Sequence, residues 1–228
     1  MALSEREVED RFLADMAQQD GLPPPFTKFP SRPTPRRFLF WPMPDDIAVI
    51  FEKDPAAKNL GEVLLYQGLH ALASHRLAHV LYERGIPVIP RLISQITRFL
   101  TAGIEIHPGA TIGKRFFIDH GSGIVIGETA NIGDDVMLYH QVTIGATGWW
   151  KDLKGGKAKR HPTIEDRVTI GVGASILGPI TIGHDSRIGA MALVLETVPP
   201  HSTVVASPAR LLRRTQGKIE SAELDYQI

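Results

Sequence analysis

From Ile106 to Val194 an aliphatic residue returns every sixth position, usually with glycine directly after it. Ile106, Ile112 and Ile118 set the phase, and Ile126, Ile132, Leu138 and Ile144 continue it after a two-residue slip. Ile164, Ile170, Ile176, Ile182, Ile188 and Val194 resume it after a longer interruption. Such a beat marks a coiled parallel sheet in which each hexad forms one flat face. Three hexads make a triangular turn of about 18 residues, and turns stack at a strand spacing of roughly 4.8 Å. The aliphatic residue fills the prism. The glycines that follow it (Gly113, Gly127, Gly133, Gly145, Gly171, Gly183 and Gly189) are expected to let the chain turn its corners without a side chain in the way. Coils of this class are left-handed, against the usual crossover rule; that handedness belongs to the class and is not read from the spacing.

The first hundred residues are patterned differently. Residues 3–19 read as a short amphipathic helix with Ser4 and Glu7 at capping-box spacing. Residues 21–44 hold eight of the 17 prolines, which excludes regular helix and central strand and leaves an extended arm. Asp54 before Pro55 suits a helix start, and the apolar spacing predicts helix from Asp54 to Arg84, closed by Gly85, with a second helix over Arg91 to Leu100. The expected class is α+β: an N-terminal α-helical domain followed by a left-handed parallel β-helix of hexapeptide repeats. The expected segments are 1–44 (helix and arm), 45–103 (helical domain), 104–206 (β-helix) and 207–228 (a polar tail without regular structure).

Chemistry is expected where the beat breaks. The first break places Asp119 and His120 before a GSG turn that leaves the imidazole sterically open. Imidazole titrates near neutrality and can take a proton from a hydroxyl. The second break, Ala146 to Pro162, is rich in glycine and lysine, contains Trp149 and Trp150, and ends at Arg160-His161. Arginine presents a planar fork of donors suited to a carboxylate. The two loop lysines Lys151 and Lys154 read as solvated charge.

The chain has no cysteine, which rules out disulfides, thiolate metal sites and a cysteine nucleophile. Its formal charge is zero, which argues against nucleic acid as a partner. The N-terminus is acidic, and no apolar run is long enough for a membrane span, so a cytoplasmic location is the expectation. His70, His75 and His79 share a helix without a surrounding ligand pattern, so no metal is expected; His140, His184 and His201 read as structural or surface residues.

DPAA at 54–57, EIHPGATIG at 105–113, IDHGSGIVIGETA at 118–130, RHPTI at 160–164 and SPAR at 207–210 resemble serine O-acetyltransferase, over about Asp46 to Arg213. The resemblance implies transfer of acetyl from acetyl-CoA to the L-serine hydroxyl in cysteine biosynthesis, and inhibition by cysteine in the same pocket. It implies that His120 is the general base and Glu105, where many relatives carry Asp, the acid that orients it. Arg160 and His161 would hold the substrate carboxylate, and Asp54 and Asp119 its ammonium. Acetyl-CoA would lie along Ala146, Thr147, Val172, Gly173, Arg187, Ala190, Ala206 and Arg210, with Met191 where relatives often have glycine. The resemblance also implies a site between neighbouring coils of a homotrimer or dimer of trimers, and docking of the terminal Ile228 on O-acetylserine sulfhydrylase. Competing readings are an acetyltransferase of the same coil acting on a sugar or other small hydroxyl, which has no need of Arg160, Asp54 and Asp119 together, and a non-catalytic partner protein.

Overall fold

A computed structural model describes residues 43–148, 159–207, 211–215 and 218–222. The helix expected at 3–19, the proline-rich arm up to residue 42, Trp149, Trp150, Arg210 and Ile228 lie outside the described residues.

The coil follows the beat. Strands β1 (Glu105–Ile106), β4 (Val125–Ile126), β7 (Thr143–Gly145), β10 (Ser175–Leu177) and β13 (Leu193–Val194) stack in parallel as face A. Strands β2 (Thr111–Ile112), β5 (Asn131–Ile132), β8 (Thr163–Ile164) and β11 (Thr181–Ile182) form face B. Strands β3 (Phe117–Ile118), β6 (Met137–Leu138), β9 (Thr169–Ile170), β12 (Arg187–Ile188) and β14 (Thr203–Val204) form face C. Beat residue sits on beat residue: Ile106, Ile126, Ile144, Ile176 and Val194 are in register along face A, and Ile112, Ile132, Ile164 and Ile182 along face B. All thirteen beat residues from Ile106 to Val194 are at most 5% exposed. The structure is thus the left-handed parallel β-helix class that the period implies, with helices before it.

A second inward position lies two residues before each beat. Ile104, Ala110, Phe116, Ile124, Ala130, Val136, Val142, Val168 and Ala174 are all buried there. The polar exception is Ser186, whose hydroxyl donates to Pro199 O (2.9 Å) and accepts from Ser202 N (3.2 Å).

The corners are not turned by the beat glycines. Their φ angles are not positive; what they supply is room for the next turn of coil. A Cβ on Gly113 would stand 2.5 Å from Gly133 O, and one on Gly171 2.7 Å from Ala190 N. Left-handed backbone is taken instead by other residues at two edges. At the edge from face B to face C these are Arg115, Asp135, Arg167, Asp185 and His201, with φ between 55° and 62°. At the edge from face C to face A they are Ala102, Gln141 and Met191, together with Gly123 and Gly173. Each non-glycine residue there costs about 1–2 kcal/mol, offset by bonds between turns such as Gln141 N to Ser122 O (2.7 Å) and Asp135 N to Lys114 O (2.8 Å).

The helices are α1 (Met43–Lys53), α2 (Leu60–Val63), α3 (Gln67–Glu83) and α4 (Ile89–Leu100). The continuous helix expected over Asp54–Arg84 is therefore broken. Asp54 turns back on Ala56 N (2.8 Å), and Asn59 is the residue that caps a helix, accepting from Glu62 N (3.0 Å). Gly85, with φ 73°, follows α3 as expected. The helices pack on the coil's first turns. Val49, Ile50, Val63 and Leu69 bury the outward side chains Phe117 and Met137 of face C, and Gly68 leaves no space for a Cβ above Ile118 O. Arg76 joins three parts: it forks onto the 1%-exposed Asp46 of α1 and donates to Gly113 O (2.9 Å) in the coil. Burial raises the Asp46 pKa, against the opposing pull of Arg76.

The tail is more ordered than its polarity suggests. Strands β15 (Leu211–Thr215) and β16 (Lys218–Ala222) pair antiparallel, Leu211 opposite Ala222. Among the described residues no helix is long and apolar enough to cross a membrane.

Candidate active site

His120 stands at the edge between faces C and A, on the two-residue insertion after β3. Its backbone is left-handed (φ 57°), and its side chain is 75% exposed. Asp54 follows α1, which lies over face C and ends at Lys53, itself paired with Asp135 at the B–C edge (2.8 Å). Tyr66 donates its hydroxyl to Asp54, and that bond, with burial and the nearby charge of Asp119, pushes the tyrosine pKa up to about 12. Asp119 lies 3.8 Å from His120 Nε2. Asp119 thus adjoins His120, and Tyr66, which sequence reasoning missed, links Asp54 toward Asp119. One turn below, the His140 ring meets His120 edge-on at 5.8 Å between centroids.

Glu105 has a different set of partners within the chain. Among the described residues no hydrogen bond or ion pair joins it to His120. Its carboxylate is held by Arg91 (3.0 Å), Gln95 (3.3 Å) and Arg98 (2.9 Å) of α4, which lies over the first strand and presents two guanidiniums to it.

Arg160 and His161 lie elsewhere, at the edge between faces A and B just before β8. Arg160 pairs with Glu128, which also accepts from Tyr82 OH (2.8 Å). Burial works against the Glu128 carboxylate, but these two bonds outweigh it and hold its pKa below the usual range. His161 is only 8% exposed. Desolvation, with the neighbouring charges of Arg160 and Lys159, lowers its pKa to about 4, so the ring is neutral at physiological pH. Glu128 and Thr129 were not singled out from the sequence, although the coil register puts them directly over Arg160 and His161: Asn131 pairs with Thr163.

The candidate nucleotide residues divide in the same way. Val172, Gly173, Ala190 and Ala206 follow face C strands at or beside the C–A edge below His120, and Arg187 starts β12 on face C. Ala146 and Thr147 follow β7 toward the A–B edge, where Thr147 lies against Gly178. Met191 covers Gly173: a Cβ on that glycine would come 2.5 Å from the Met191 sulfur. One group among the described residues has the spacing of metal ligands, His184, Asp185 and His201 at the B–C edge. Its carboxylate is already forked by Arg167 (2.7 Å to each oxygen), a cation that opposes a second one.

The two half-sites are the two ends of face A. At about 3.3 Å per residue a face spans about 15–20 Å, far beyond the reach of one amino acid.

Comparison with known proteins decides which coil this is. Residues 161–196 match the bacterial transferase hexapeptide family (six repeats). Serine acetyltransferase of Bacillus subtilis is 52% identical over 190 residues, 83% of this chain and 84% of the relative. The chain belongs to the serine acetyltransferase family. Among solved members, the Neisseria gonorrhoeae serine acetyltransferase in complex with serine superposes with a TM-score of 0.66 at 36% identity, over 73% of this chain and 66% of that one. The Brucella abortus serine acetyltransferase in complex with coenzyme A gives 0.66 at 39% identity, over 74% and 65%. The chain thus spans about two thirds of these solved serine acetyltransferases, and it is an acyltransferase by its family.

Proposed function

We propose that this chain is a serine O-acetyltransferase whose active site forms between copies, His120 with Asp54 and Asp119 coming from one coil and Arg160 with His161 from its neighbour. The observation that carries this reading is the separation of the two groups at opposite ends of face A. The outward side chains Val125, Leu193 and Leu195 on and beside that face are exposed apolar surface suited to cover by a second coil. That a relative has been solved with serine and another with coenzyme A supports the substrate pair.

His120 takes the serine hydroxyl proton as the oxygen forms its bond to the thioester carbonyl carbon. The tetrahedral intermediate expels the CoA sulfur, which receives the proton back from the imidazolium. Products are O-acetylserine and CoA. Asp54 and Asp119 oppose the substrate ammonium, and the Arg160 fork, with His161 beside it, opposes the carboxylate. In a single chain Asp119 is the carboxylate 3.8 Å from His120, while Glu105 is held by Arg91, Gln95 and Arg98 with acceptor capacity left on Oε2. The Val172–Gly173, Ala190 and Ala206 edge, with Met191 on it, is the proposed floor for the CoA arm, with Arg187 beside it on face C; Ala146 and Thr147, toward the A–B edge, would reach that arm from the neighbouring copy. Arg210 and Ile228, with the sulfhydrylase contact, stay as proposals from resemblance.

CoA release from acetyl-CoA tests the reading, with L-serine, homoserine or sugars as acceptors. Serine-dependent release should fall about 10²–10⁴-fold in His120→Ala; release only with a sugar acceptor overturns it. Sharing of the site is tested by co-assembly. His120→Ala and Arg160→Ala chains are each inactive. Mixed equally in a cyclic assembly, a site is intact when one edge comes from each type, a probability of ½ × ½, so about one quarter of wild-type activity returns. No recovery in verified mixed assemblies means that the site is not shared.

A further inference from the structure

Thr129 is bonded to both residues of the proposed substrate-carboxylate clamp, Arg160 and His161, and to Lys159 before them. Its carbonyl accepts from Lys159 Nζ (2.6 Å). Its hydroxyl oxygen accepts from the backbone N–H of Arg160 (3.0 Å) and of His161 (3.1 Å). Its own backbone N–H donates to His161 Nδ1 (3.1 Å), and its hydroxyl lies 2.9 Å from that same nitrogen. Hydroxyl oxygen has two lone pairs and one proton. Both lone pairs are taken by backbone donors, so the remaining proton points to Nδ1.

This donor count fixes a protonation state. Nδ1 receives an N–H and an O–H, so it holds a lone pair and no proton. A ring protonated at Nδ1 would set its hydrogen against two other hydrogens, whether the ring is neutral or an imidazolium. The remaining form carries its proton on Nε2. The ring packs against Gly127, filling the space a Cβ there would take, 2.1 Å from Nε2. The lowered pKa of His161 agrees with the same picture.

We propose that Thr129 is a positioning residue of the acetyltransferase: it locks His161 in the neutral Nε2–H form, so that an uncharged donor stands beside the Arg160 cation where the substrate carboxylate binds. This rests on the placement of Arg160 and His161 at that carboxylate. With Arg160 already paired to Glu128, a neutral ring supplies a hydrogen-bond donor without a further charge, and it keeps His161 from competing for the proton that His120 would carry.

The experiment has two independent arms. In the first, ¹⁵N NMR of the imidazole nitrogens at pH 7.5, with the His161 signals assigned by their loss in His161→Gln, should show the Nε2–H tautomer in the intact protein. A Nδ1–H tautomer or a doubly protonated ring overturns the proposal. In the second, Thr129→Val removes the hydroxyl at nearly constant shape, and Thr129→Ser restores it. The valine variant should raise the serine KM about tenfold or more, as expected for a lost buried hydrogen bond, with acetyl-CoA KM within about twofold and kcat changed less than the serine KM. The serine variant should return to within about threefold of wild type. A folded valine variant with an unchanged serine KM overturns the proposal. If the valine variant does not fold, the tautomer decides alone. If wild type releases no CoA with serine, the substrate reading has failed, while the NMR arm still reports on Thr129.

Discussion

Gly127→Ala is a steric probe of the proposed carboxylate half-site with little conformational cost of its own, because φ at Gly127 is not positive and alanine fits the backbone there. The added Cβ would stand 2.0 Å from His161 Cδ2 and 2.1 Å from Nε2. Ordinary contact begins near 3.4 Å, so the ring must retreat by about 1.4 Å. Thr129 grips Nδ1 from the other side, so retreat breaks one or both of those bonds or drags Arg160 along. A displacement of about 1 Å in a substrate-positioning group can cost about 10²-fold, and overpacking a tight site costs typically 1–3 kcal/mol of stability. The expected outcome is a folded protein with a somewhat lower Tm and serine kcat/KM reduced about 100-fold, the loss falling mainly on serine KM. Steady-state CoA release with varied serine, then with varied acetyl-CoA, separates the two substrates. Gly85→Ala is the control: its Cβ meets nothing within 4 Å, so it strains a helix end and leaves serine KM alone. A Gly127→Ala protein of normal Tm and serine kcat/KM within about threefold of wild type would refute the packing argument.

Arg76→Ala should lower the unfolding free energy by about 3–5 kcal/mol, because it strands the buried Asp46 carboxylate and frees the tie between α1, α3 and the coil; denaturant unfolding reads this directly, and a loss below about 1 kcal/mol contradicts it. Acid should destabilise the protein between pH 6.5 and 4. His161 and the fully buried His75 have pKa values lowered by folding, so the unfolded chain binds more protons in that window and stability rises with pH across it. Tm measured from pH 7.5 down to pH 5 should fall, and a flat profile would show that these rings are not held neutral.

The coil was legible because its signal is redundant. Thirteen beat residues share one phase, so a single substitution or slip cannot hide it, and the parallel register follows once Ile132 is set over Ile164. His120 was legible for the opposite reason, as a break in an otherwise regular pattern. Glu105 was not: its partners Arg91 and Arg98 lie on a helix whose placement over the first strand is a tertiary fact. The helix starting at Asp54 failed because Asp54 bonds locally to Ala56 N and Tyr66, and a side chain that satisfies a turn can equally be read as a cap. Thr129 could have been found by counting one coil turn back from His161 across the loop, since the register survives the insertion. The glycine role was half right. Space beside the backbone is required, but the left-handed turns fell to Arg115, Asp135, Arg167, Asp185 and His201.

These last residues bear on why the proposed site uses only two of the three edges. At the B–C edge each turn of coil uses its outward corner residue in a column of alternating charge, with Arg115 near Asp135 (3.6 Å) and Arg167 forked on Asp185. Such a column satisfies itself and has no free fork to offer a substrate. The C–A edge carries instead Ala102, Gln141, Gly173 and Met191 at its left-handed positions, none of them charged, so its one insertion can present His120 without a competing ion pair in the column. The A–B edge has no left-handed column among the described residues, and its corners are open to the long loop that delivers Arg160 and His161. At the B–C edge uninterrupted hexads place their corner residues in a self-paired stack. His120 and Arg160 each stand beside an insertion, at opposite ends of face A, which is why the proposed site draws them from two copies of the coil.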